Sequence, residues 1–261
     1  MPKKILIIGI SILLILGICI SYLSIYGIKT DKFNNFINNK VKDFNSKVTL
    51  QTENVYIKLN LSERAININS KNANLIAESN SIKISNIDIN LNLIKFLKNE
   101  SSIKNIKIKS ASNLIKDVTS FLNTIDYNLT RYIFYSQIKE GLLNFELDAK
   151  LDSKKQKSLS YFISGSVSNA KLNIPGYESL NDLNFNFQNR DTITKISNLN
   201  FIYQKIIFAS KRIDVTVEKS GAYYVEGDIE NTKALINPNL IFKFTNIKQD
   251  YLSNKDILFQ S

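Results

Sequence analysis

The chain has 261 residues, of which 44% are hydrophobic and 22% charged, with one cysteine and no histidine or tryptophan. This composition is too apolar for a disordered chain and is long enough for one large domain or two small ones. The absence of histidine excludes a Ser-His-Asp triad, a Cys-His pair and an imidazole metal site. A single cysteine excludes an internal disulfide and a cysteine cluster. We therefore expect no catalytic residues, no metal site and no cofactor.

The net charge is +11, from 34 Lys and Arg against 23 Asp and Glu. An excess of this kind is typical of proteins that bind nucleic acid or an anionic membrane surface. Nucleic-acid binding favours arginine for its bidentate fork, but only four arginines are present and the lysines are scattered along the chain. We therefore expect no nucleic-acid partner.

An uncharged stretch after Lys3 and Lys4 predicts a transmembrane helix over residues 5–28. At about 1.5 Å per residue its length exceeds the ~30 Å hydrocarbon core of a bilayer. A cleaved signal peptide would have a shorter apolar core, and a lipoprotein signal would have a small residue where Ile18 precedes Cys19. We expect an uncleaved single span, with residues 1–4 as a cytoplasmic tail and residues 29–261 exported.

A short amphipathic helix is predicted after the span, over residues 31–45. Phe33, Ile37, Val41 and Phe44 fall at helical spacing, with Asn and Lys between them. Such a helix can pack on a sheet, lie on the membrane surface, or do both.

From Lys47 the hydrophobic period changes to two, which predicts strands over residues 47–110 and 141–261. Apolar residues alternate with Asn, Lys, Ser or Asp, as antiparallel strands with one wet face require. We expect roughly a dozen strands by this rule. The alternating runs begin at Val55, Ile66, Ile87, Leu143, Leu183, Ile213 and Leu240.

One long helix is predicted between these two groups of strands, over residues 112–139. Apolar residues from Leu114 to Ile133 recur at steps of three and four, and Gly141 follows the expected end of the helix. A shorter helical turn is predicted at residues 93–98, where the alternation breaks. Turns are expected mainly at polar residues, as at 189–191.

These elements predict a mainly β fold with an N-terminal transmembrane helix, one short and one long amphipathic helix. The helices are too few to cover the apolar faces of so many strands. The antiparallel sheet must therefore close on itself as a sandwich or barrel, or curl into a taco-like groove. A sandwich has a packed core, whereas a groove can hold acyl chains, and the pattern leaves both open.

If the sheet forms a groove, the apolar positions of the strands are its candidate lipid contacts. They alternate with polar residues and so share one face of each strand. These candidates are Val55, Ile57, Leu59, Ile87, Ile89, Leu91, Phe145, Leu147, Phe185, Phe187, Val215 and Val217. The carboxylate pairs Asp148/Asp152 and Glu226/Asp228 fall on the wet faces and are interpreted as solubilising charges, not as an acid–base pair.

Two segments form a weak internal repeat, with the pattern apolar-x-Gly-x-apolar-x-Asn at residues 163–169 and 225–231. A glycine within a strand indicates a bulge or a close approach of another backbone. We expect Gly165 and Gly227 to lie at such positions.

The order of a membrane span, a short amphipathic helix and strands, followed by the stretches at residues 87–97 and 103–108, resembles the start of AsmA-like proteins, including the YhdP and TamB branches. The segments around Gly165 and Gly227 are similar to strands in the later part of those chains. The resemblance implies an inner-membrane anchor in a Gram-negative cell, a cytoplasmic N-terminus, and a periplasmic sheet curled into a hydrophobic groove. Those proteins are usually longer, so we expect a short member or an N-terminal portion.

The resemblance implies a role in moving phospholipid, or another envelope lipid, between the inner and outer membranes. The alternative is a membrane-tethered periplasmic scaffold or assembly factor for outer-membrane biogenesis, with a packed β-domain that contacts envelope proteins. An enzyme is the least expected function, because no Gly-rich phosphate loop and no nucleophile–base pair is recognisable.

Overall fold

The computed structural model describes residues 2–31, 34–98, 100, 103–127, 129, 132, 136–151, 159–218, 220–231, 234–236 and 257–259. The mainly β prediction is confirmed, because strands dominate this part of the chain and 14 of them form one antiparallel sheet. The helices are α1 (Pro2–Ile25), α2 (Asn34–Phe44), α3 (Leu93–Leu97) and α4 (Ile115–Ile125).

The strands follow one another as neighbours along most of the sheet. Their order is β1-β3-β4-β5-β6-β8-β9-β10-β11-β12-β13, with β2 beside β4, β7 beside β8 and β14 beside β12, while β15 and β16 pair separately. Their bounds are β1 Ile28–Thr30, β2 Val48–Gln51, β3 Asn54–Asn60, β4 Ala65–Ala77, β5 Asn80–Asn92, β6 Ile103–Ser110, β7 Asn113–Leu114, β8 Ile138–Leu151, β9 Leu159–Leu172, β10 Leu180–Arg190, β11 Ile193–Tyr203, β12 Ile206–Val217, β13 Tyr223–Gly227, β14 Glu230–Asn231, β15 Ala234–Ile236 and β16 Ile257–Phe259. The strand predicted to begin at Leu240 lies outside the described residues.

The long helix predicted over residues 112–139 is interrupted in the structure. Instead of residues 112–139, α4 covers Ile115–Ile125 and is no longer than α2. Asp126 ends α4 in an extended conformation, with its negative charge at the helix end where the dipole disfavours it, and Leu129, Tyr132 and Ser136 are helical again. Gly141, expected to follow the helix, lies inside β8 with a positive φ of 117°.

The shorter helices agree with the sequence prediction where they are described. Helix α2 falls within residues 31–45, although residues 32 and 33 lie outside the described part. Helix α3 forms the predicted turn at residues 93–98, and the side chain of Asn92 caps it by accepting a hydrogen bond from the Lys95 amide at 3.1 Å.

Helix α1 covers part of the predicted span, but the side chains of residues 2–10 and 12 lie outside the described residues. Among the helices as far as they are described, none is both long and apolar enough to cross a bilayer. The transmembrane span over residues 5–28 stays a prediction.

The chain divides into two compact units. The first unit contains Met1–Tyr132 and Asn144–Ile163, and the second contains Ile133–Leu143 and Ser164–Ser261. Helices α1 to α4 lie in the first unit.

The first unit has a packed hydrophobic core. Helix α4 packs on β4 and β5, and α2 packs on β2. Beneath them the apolar face of the sheet is closed off, with Ile84 1% exposed and Val55 0% exposed. Sixteen described hydrophobic residues of this unit are buried: Ile37, Val48, Leu50, Val55, Ala65, Ile68, Ala73, Ala77, Ile82, Ile84, Ile87, Leu91, Ile115, Val118, Phe121 and Ala149.

The buried face of the first unit is continuous only because two strands change phase at the same level. In β4 the buried positions pass from Ser70 to Ala73, across Asn72, whose φ is 53°. In β5 they pass from Ile84 to Ile87, across a β-bulge against β6 at Ser85. We call this level the phase-shift line; one extra residue in each strand keeps its apolar residues on one side.

Polar side chains complete the hydrogen bonding at this level. The Ser85 hydroxyl donates to the carbonyls of Lys109 and Ser110, at 2.9 and 3.1 Å. The buried Asn113 amide donates to the Lys83 carbonyl at 3.0 Å and accepts from the Lys83 amide at 2.8 Å, as a neighbouring strand would. Backbone groups that the bulge removes from the ladder are thereby satisfied.

The second unit has a phase-shift line of its own. Asn198 in β11 has a φ of 52° and lies opposite the register shift between Asn184 and Asn186 of β10, and in β12 the apolar side passes from the buried Ser210 to the partly exposed Ile213. The edge follows the same level, because β12 pairs with β13 on one side of it and with β14 on the other.

Candidate functional site

The candidate site is the apolar face of β10–β12 in the second unit. Alternation and the phase shift place the apolar residues of these strands on one side, where Phe187 lies opposite Ile196 and Ile196 opposite Ile213. We call this surface the β10–β12 apolar face. It comprises Leu183, Phe185, Phe187, Ile196, Leu199, Phe201, Phe208, Ile213, Val215 and Val217.

The β10–β12 apolar face is partly exposed along its length. Each of its residues retains solvent exposure, in contrast to the closed core of the first unit. The Phe201 and Phe208 rings stack at a centroid distance of 5.2 Å, and the Phe185 and Phe187 rings lie 6.4 Å apart. The face therefore presents adjacent aromatic and aliphatic side chains that water can still reach.

One end of this face is closed. Tyr203 and Ile206 are buried, and Leu180, Phe201 and Phe208 pack against them. Burial raises the pKa of the Tyr203 hydroxyl above its ordinary value, and the Glu178 carboxylate adds to the rise. Hydrophobic packing therefore fixes the turn between β11 and β12 and leaves the remainder of the face open.

The face continues onto β13, which is exposed at every residue. Val225 lies opposite Val215 and is 62% exposed. At Gly227 a Cβ atom would lie 2.6 Å from the Arg212 carbonyl oxygen and 2.9 Å from the Ile213 Cα. The close approach expected at Gly227 is therefore confirmed, since only glycine lets β13 pair with β12 this tightly.

The opposite face of the second unit carries polar and charged residues together with the exposed Ile193 and Ile207. The Arg212 guanidinium donates to Asp214, its Nε lying 2.9 Å from Oδ1. This hydrogen bond and the positive charge of Arg212 hold the pKa of the Asp214 carboxyl below its ordinary value. Lys195 lies opposite Asp214 on β11 and Glu226 opposite it on β13, so charges of both signs alternate across the strands.

The candidate lipid contacts predicted in the first unit fall into two groups. Val55, Ile87 and Leu91 are buried by protein atoms, with exposures of 0%, 5% and 4%. Partly exposed positions are Ile57, Leu59, Ile89, Phe145 and Leu147. The four candidates of the second unit, Phe185, Phe187, Val215 and Val217, all belong to the β10–β12 apolar face, and lipid contact at every one of these positions stays a prediction.

The polar side of the first unit is a ladder of amides and charges. Asn69 donates to Asn86 at 2.8 Å and to Asp88, and Asn86 also donates to Asp88. Lys107 forms an ion pair with Asp148 at 3.6 Å. Asp88 and Asp148 are thus engaged with neighbouring side chains, as expected of charges on a wet face.

A polar cleft of about 420 Å³ lies where α2 meets β2 and β4. Asn34 closes one side by donating to the Thr52 carbonyl at 3.1 Å, and Asn38 accepts from the Leu50 amide at 3.0 Å. Its lining is Asn34, Asn35, Asn38, Leu50, Gln51, Thr52, Glu53, Asn72 and Asn74. The amides largely hold α2 against the sheet, and the cleft contains no pairing of a nucleophile with a base.

No cluster of three or more Asp, Glu or Cys residues that could hold a metal occurs in the described part of the chain. Of the carboxylate pairs considered in the sequence, Asp152 lies outside the described residues. Glu226 and Asp228 are both exposed. The prediction that the protein is not an enzyme stays a prediction.

The sequence prediction missed Ile196, Leu199, Phe201 and Phe208 as members of the candidate surface. In β11 the alternation of apolar and polar residues changes phase at Asn198. Counting every second residue therefore separates Ile196 from Leu199 and Phe201. The signal was a Ser-Asn step between apolar runs, present at 85–86, 168–169 and 197–198. At Asn169 and Asn198 the φ values are 53° and 52°, which Asn tolerates better than most residues.

No family model, curated protein or solved structure matches the chain.

Proposed function

We propose that the protein is anchored in the membrane by α1 and holds lipid acyl chains on the β10–β12 apolar face. The observation that carries this proposal is the partial exposure of adjacent phenylalanines and aliphatic residues along that face. Such a contiguous apolar surface is costly in water and marks a binding surface in most soluble domains.

An acyl chain suits this surface better than a compact polar ligand. Transfer of acyl carbons from water contributes about 0.8 kcal/mol per CH₂, so a chain is held without any specific polar contact. The polar opposite face, with its Arg212–Asp214 pair and its alternating charges, would remain in water. Lipid transfer then requires no catalytic group, only a continuous apolar track with a wet edge.

The proposal includes a sheet that curls around its lipid. Beta-bulges and residues of positive φ bend strands and increase their twist. Within the second unit, the positive-φ residue Asn198 of β11 lies opposite the register shift between Asn184 and Asn186 of β10, so both strands are irregular at one level. Bends at one level would curve β10–β12 toward one side and form the walls of a groove.

The AsmA-like resemblance supplies the cellular setting of the proposal. In that setting α1 lies in the bacterial inner membrane with the N-terminus in the cytoplasm, the body lies in the periplasm, and phospholipid or another envelope lipid is the cargo. Lys3 and Lys4 before an uncharged stretch support the anchor.

Site-specific crosslinking tests the lipid proposal. A photo-crosslinking residue is placed at Phe187 or Phe201 in the full chain, and adducts are identified by mass spectrometry after irradiation in membranes. The matched control is Asn186, which is exposed on the polar side of the same strand. Phospholipid adducts at the two phenylalanines and none at Asn186 are expected; equal labelling at all three, or none at the phenylalanines, would refute the proposal.

A scaffold function remains the alternative, and the closed core of the first unit favours it. Helices α2 and α4 pack on strands of that unit, and its described core residues are buried by protein atoms, so it would offer its outer surface to a protein partner. Under this alternative the protein purified from membranes carries no phospholipid, and crosslinks at Phe187 and Phe201 join it to an envelope protein.

A further inference from the structure

Helix α3 is an apolar helix that buries nothing. Four of its five residues, in the sequence Leu-Ile-Lys-Phe-Leu, are apolar, and none of them is buried. Leu97 is 72% exposed and Ile94 is 46% exposed. An exposed helix of this composition indicates a surface that another apolar phase covers.

The turn between β3 and β4 extends the same surface. The Leu93 amide donates to the Arg64 carbonyl at 2.9 Å, and Lys104 Nζ donates to the Glu63 carbonyl at 3.0 Å. These bonds hold the turn beside α3. Leu61 in this turn is 49% exposed, so a third apolar side chain lies at this end of the sheet.

Cations flank these apolar side chains. We define the α3 patch as Leu61, Arg64, Ile94, Lys95, Leu97 and Lys98. Together with the adjacent Lys104, Glu63 and Glu100, whose amide donates to the Lys95 carbonyl at 2.9 Å, it has four positive and two negative charges and is net positive. Apolar side chains ringed by Lys and Arg match the chemistry of an anionic bilayer surface, where acyl chains lie beneath negative headgroups.

The C-terminal end of α1 reaches the same end of the sheet. Strand β1 is antiparallel to β3, with Ile28 opposite Ile57, so the residues before Ile28 lie toward the end of β3. At Gly27 a Cβ atom would lie 2.7 Å from the Ile57 carbonyl oxygen and 3.5 Å from the Lys58 Cβ. The end of α1, the β3–β4 turn and α3 therefore share one end of the first unit, because β5 also ends there, opposite Ala65.

We propose that the α3 patch lies on the anionic headgroups of the membrane that anchors α1, with Leu61, Ile94 and Leu97 inserted between the lipids. This inference rests on the anchor in the proposed function, but not on the lipid track of β10–β12. Tyr22 and Tyr26, exposed near the end of α1 with ring centroids 5.3 Å apart, suit the interface at this level.

The test uses the full chain in nanodiscs, with Cys19→Ser to leave a single labelling site. A fluorophore on Leu97→Cys is compared with one on Ser79→Cys, in the exposed β4–β5 turn at the other end of the same strands. A quencher attached to the lipid is expected to quench residue 97 and not residue 79. The effect is expected in discs with phosphatidylglycerol, and to fall toward the level of residue 79 with Lys95→Glu/Lys98→Glu or with phosphatidylcholine alone.

A third label, on Leu14→Cys, separates this inference from the anchor. Quenching at residue 14 without quenching at residue 97 would overturn the α3 patch as a membrane contact while leaving the anchor intact. Absence of quenching at both would overturn the anchor and the inference together. Protection of residue 97 that coincides with a dimer mass and is insensitive to the lipid quencher would overturn it in favour of a second copy of the chain.

Discussion

The most direct prediction compares a carboxylate on the β10–β12 apolar face with one in the closed core. Phe187→Asp and Ile84→Asp both introduce a charge at an apolar strand position. Phe187 retains solvent exposure, whereas Ile84 is 1% exposed beneath α4. We therefore expect Ile84→Asp to unfold its unit and Phe187→Asp to change only what the surface binds.

The magnitudes follow from burial. At Ile84 the substitution loses a buried aliphatic side chain and leaves an unpaired carboxylate in the core, a combined cost of about 5 kcal/mol or more. That is comparable with the whole stability of a small domain, so the first unit should unfold. At Phe187 the carboxylate can turn to water, and the loss is the partial burial of one ring, about 1–2 kcal/mol. The second unit should stay folded.

Hydrogen exchange followed by mass spectrometry on the full chain measures the amide protection of each unit separately. Lipid analysis of the same sample gives the amount of phospholipid bound per protein. We expect Phe187→Asp to keep its amide protection and to lose bound phospholipid, whereas the control Gln188→Asp, exposed on the same strand, loses neither. Unfolding of the second unit by Phe187→Asp would show that a packed partner covers the face. A folded variant with its lipid retained would refute the role of the face in holding acyl chains.

Three further predictions concern local chemistry. Gly227→Ala places a Cβ against the Arg212 carbonyl oxygen and should cost about 1–3 kcal/mol, seen as faster hydrogen exchange in β13, with unchanged exchange refuting the close approach. Asn113→Ala leaves the Lys83 amide without its side-chain acceptor, while the Lys83 carbonyl keeps the Ala111 amide at 2.9 Å, and should cost about 1–3 kcal/mol in urea unfolding, whereas a cost near zero would mean that water replaces the Asn113 side chain. The pKa of Asp214 is lowered by Arg212, so its contribution to stability is present above the ordinary aspartate pKa and is lost as pH falls through the lowered value. Carbon-detected NMR titration should show that pKa rise toward its ordinary value in Arg212→Ala, and an unchanged pKa would contradict the assignment.

The strands could be predicted from the sequence because a solvent-facing side and an apolar side impose a hydrophobic period of two. Their lengths could not be predicted in this way. Ile84 and Ile87 belong to one strand of 13 residues, although the alternation breaks between them. A break in the alternation predicts the end of a strand, unless the Ser-Asn pair at the break is recognised as the sign of a bulge. The phase-shift lines, and with them four of the ten residues of the β10–β12 apolar face, were therefore identified only from the structure.

The exposure of the candidate site was also beyond the sequence. Val55 and Phe187 follow the same alternation, yet one is sealed and the other is open. Helix α1 contacts β3, and α2 and α4 pack on other strands of the first unit, whereas the alternation of a strand does not indicate whether a helix will cover it. The apolar spacing continues through Leu129 and gives no sign of the break at Asp126, where the backbone is extended before Leu129 and Tyr132 are helical again.

The paired short strands beside β4 and β12 have a consequence for self-association. On the outer side of β4 and of β12, two short strands take the place of one long neighbour, and of these β2 and β14 span only four and two residues. The terminal strands β1 and β13 span three and five residues. Cross-β assembly generally needs uninterrupted segments of about six or seven residues. The described edges of this Asn- and Ile-rich sheet therefore offer an incoming chain only short segments for pairing. This would disfavour amyloid growth from the native state, although no proline or glycine-rich segment protects these described edge strands.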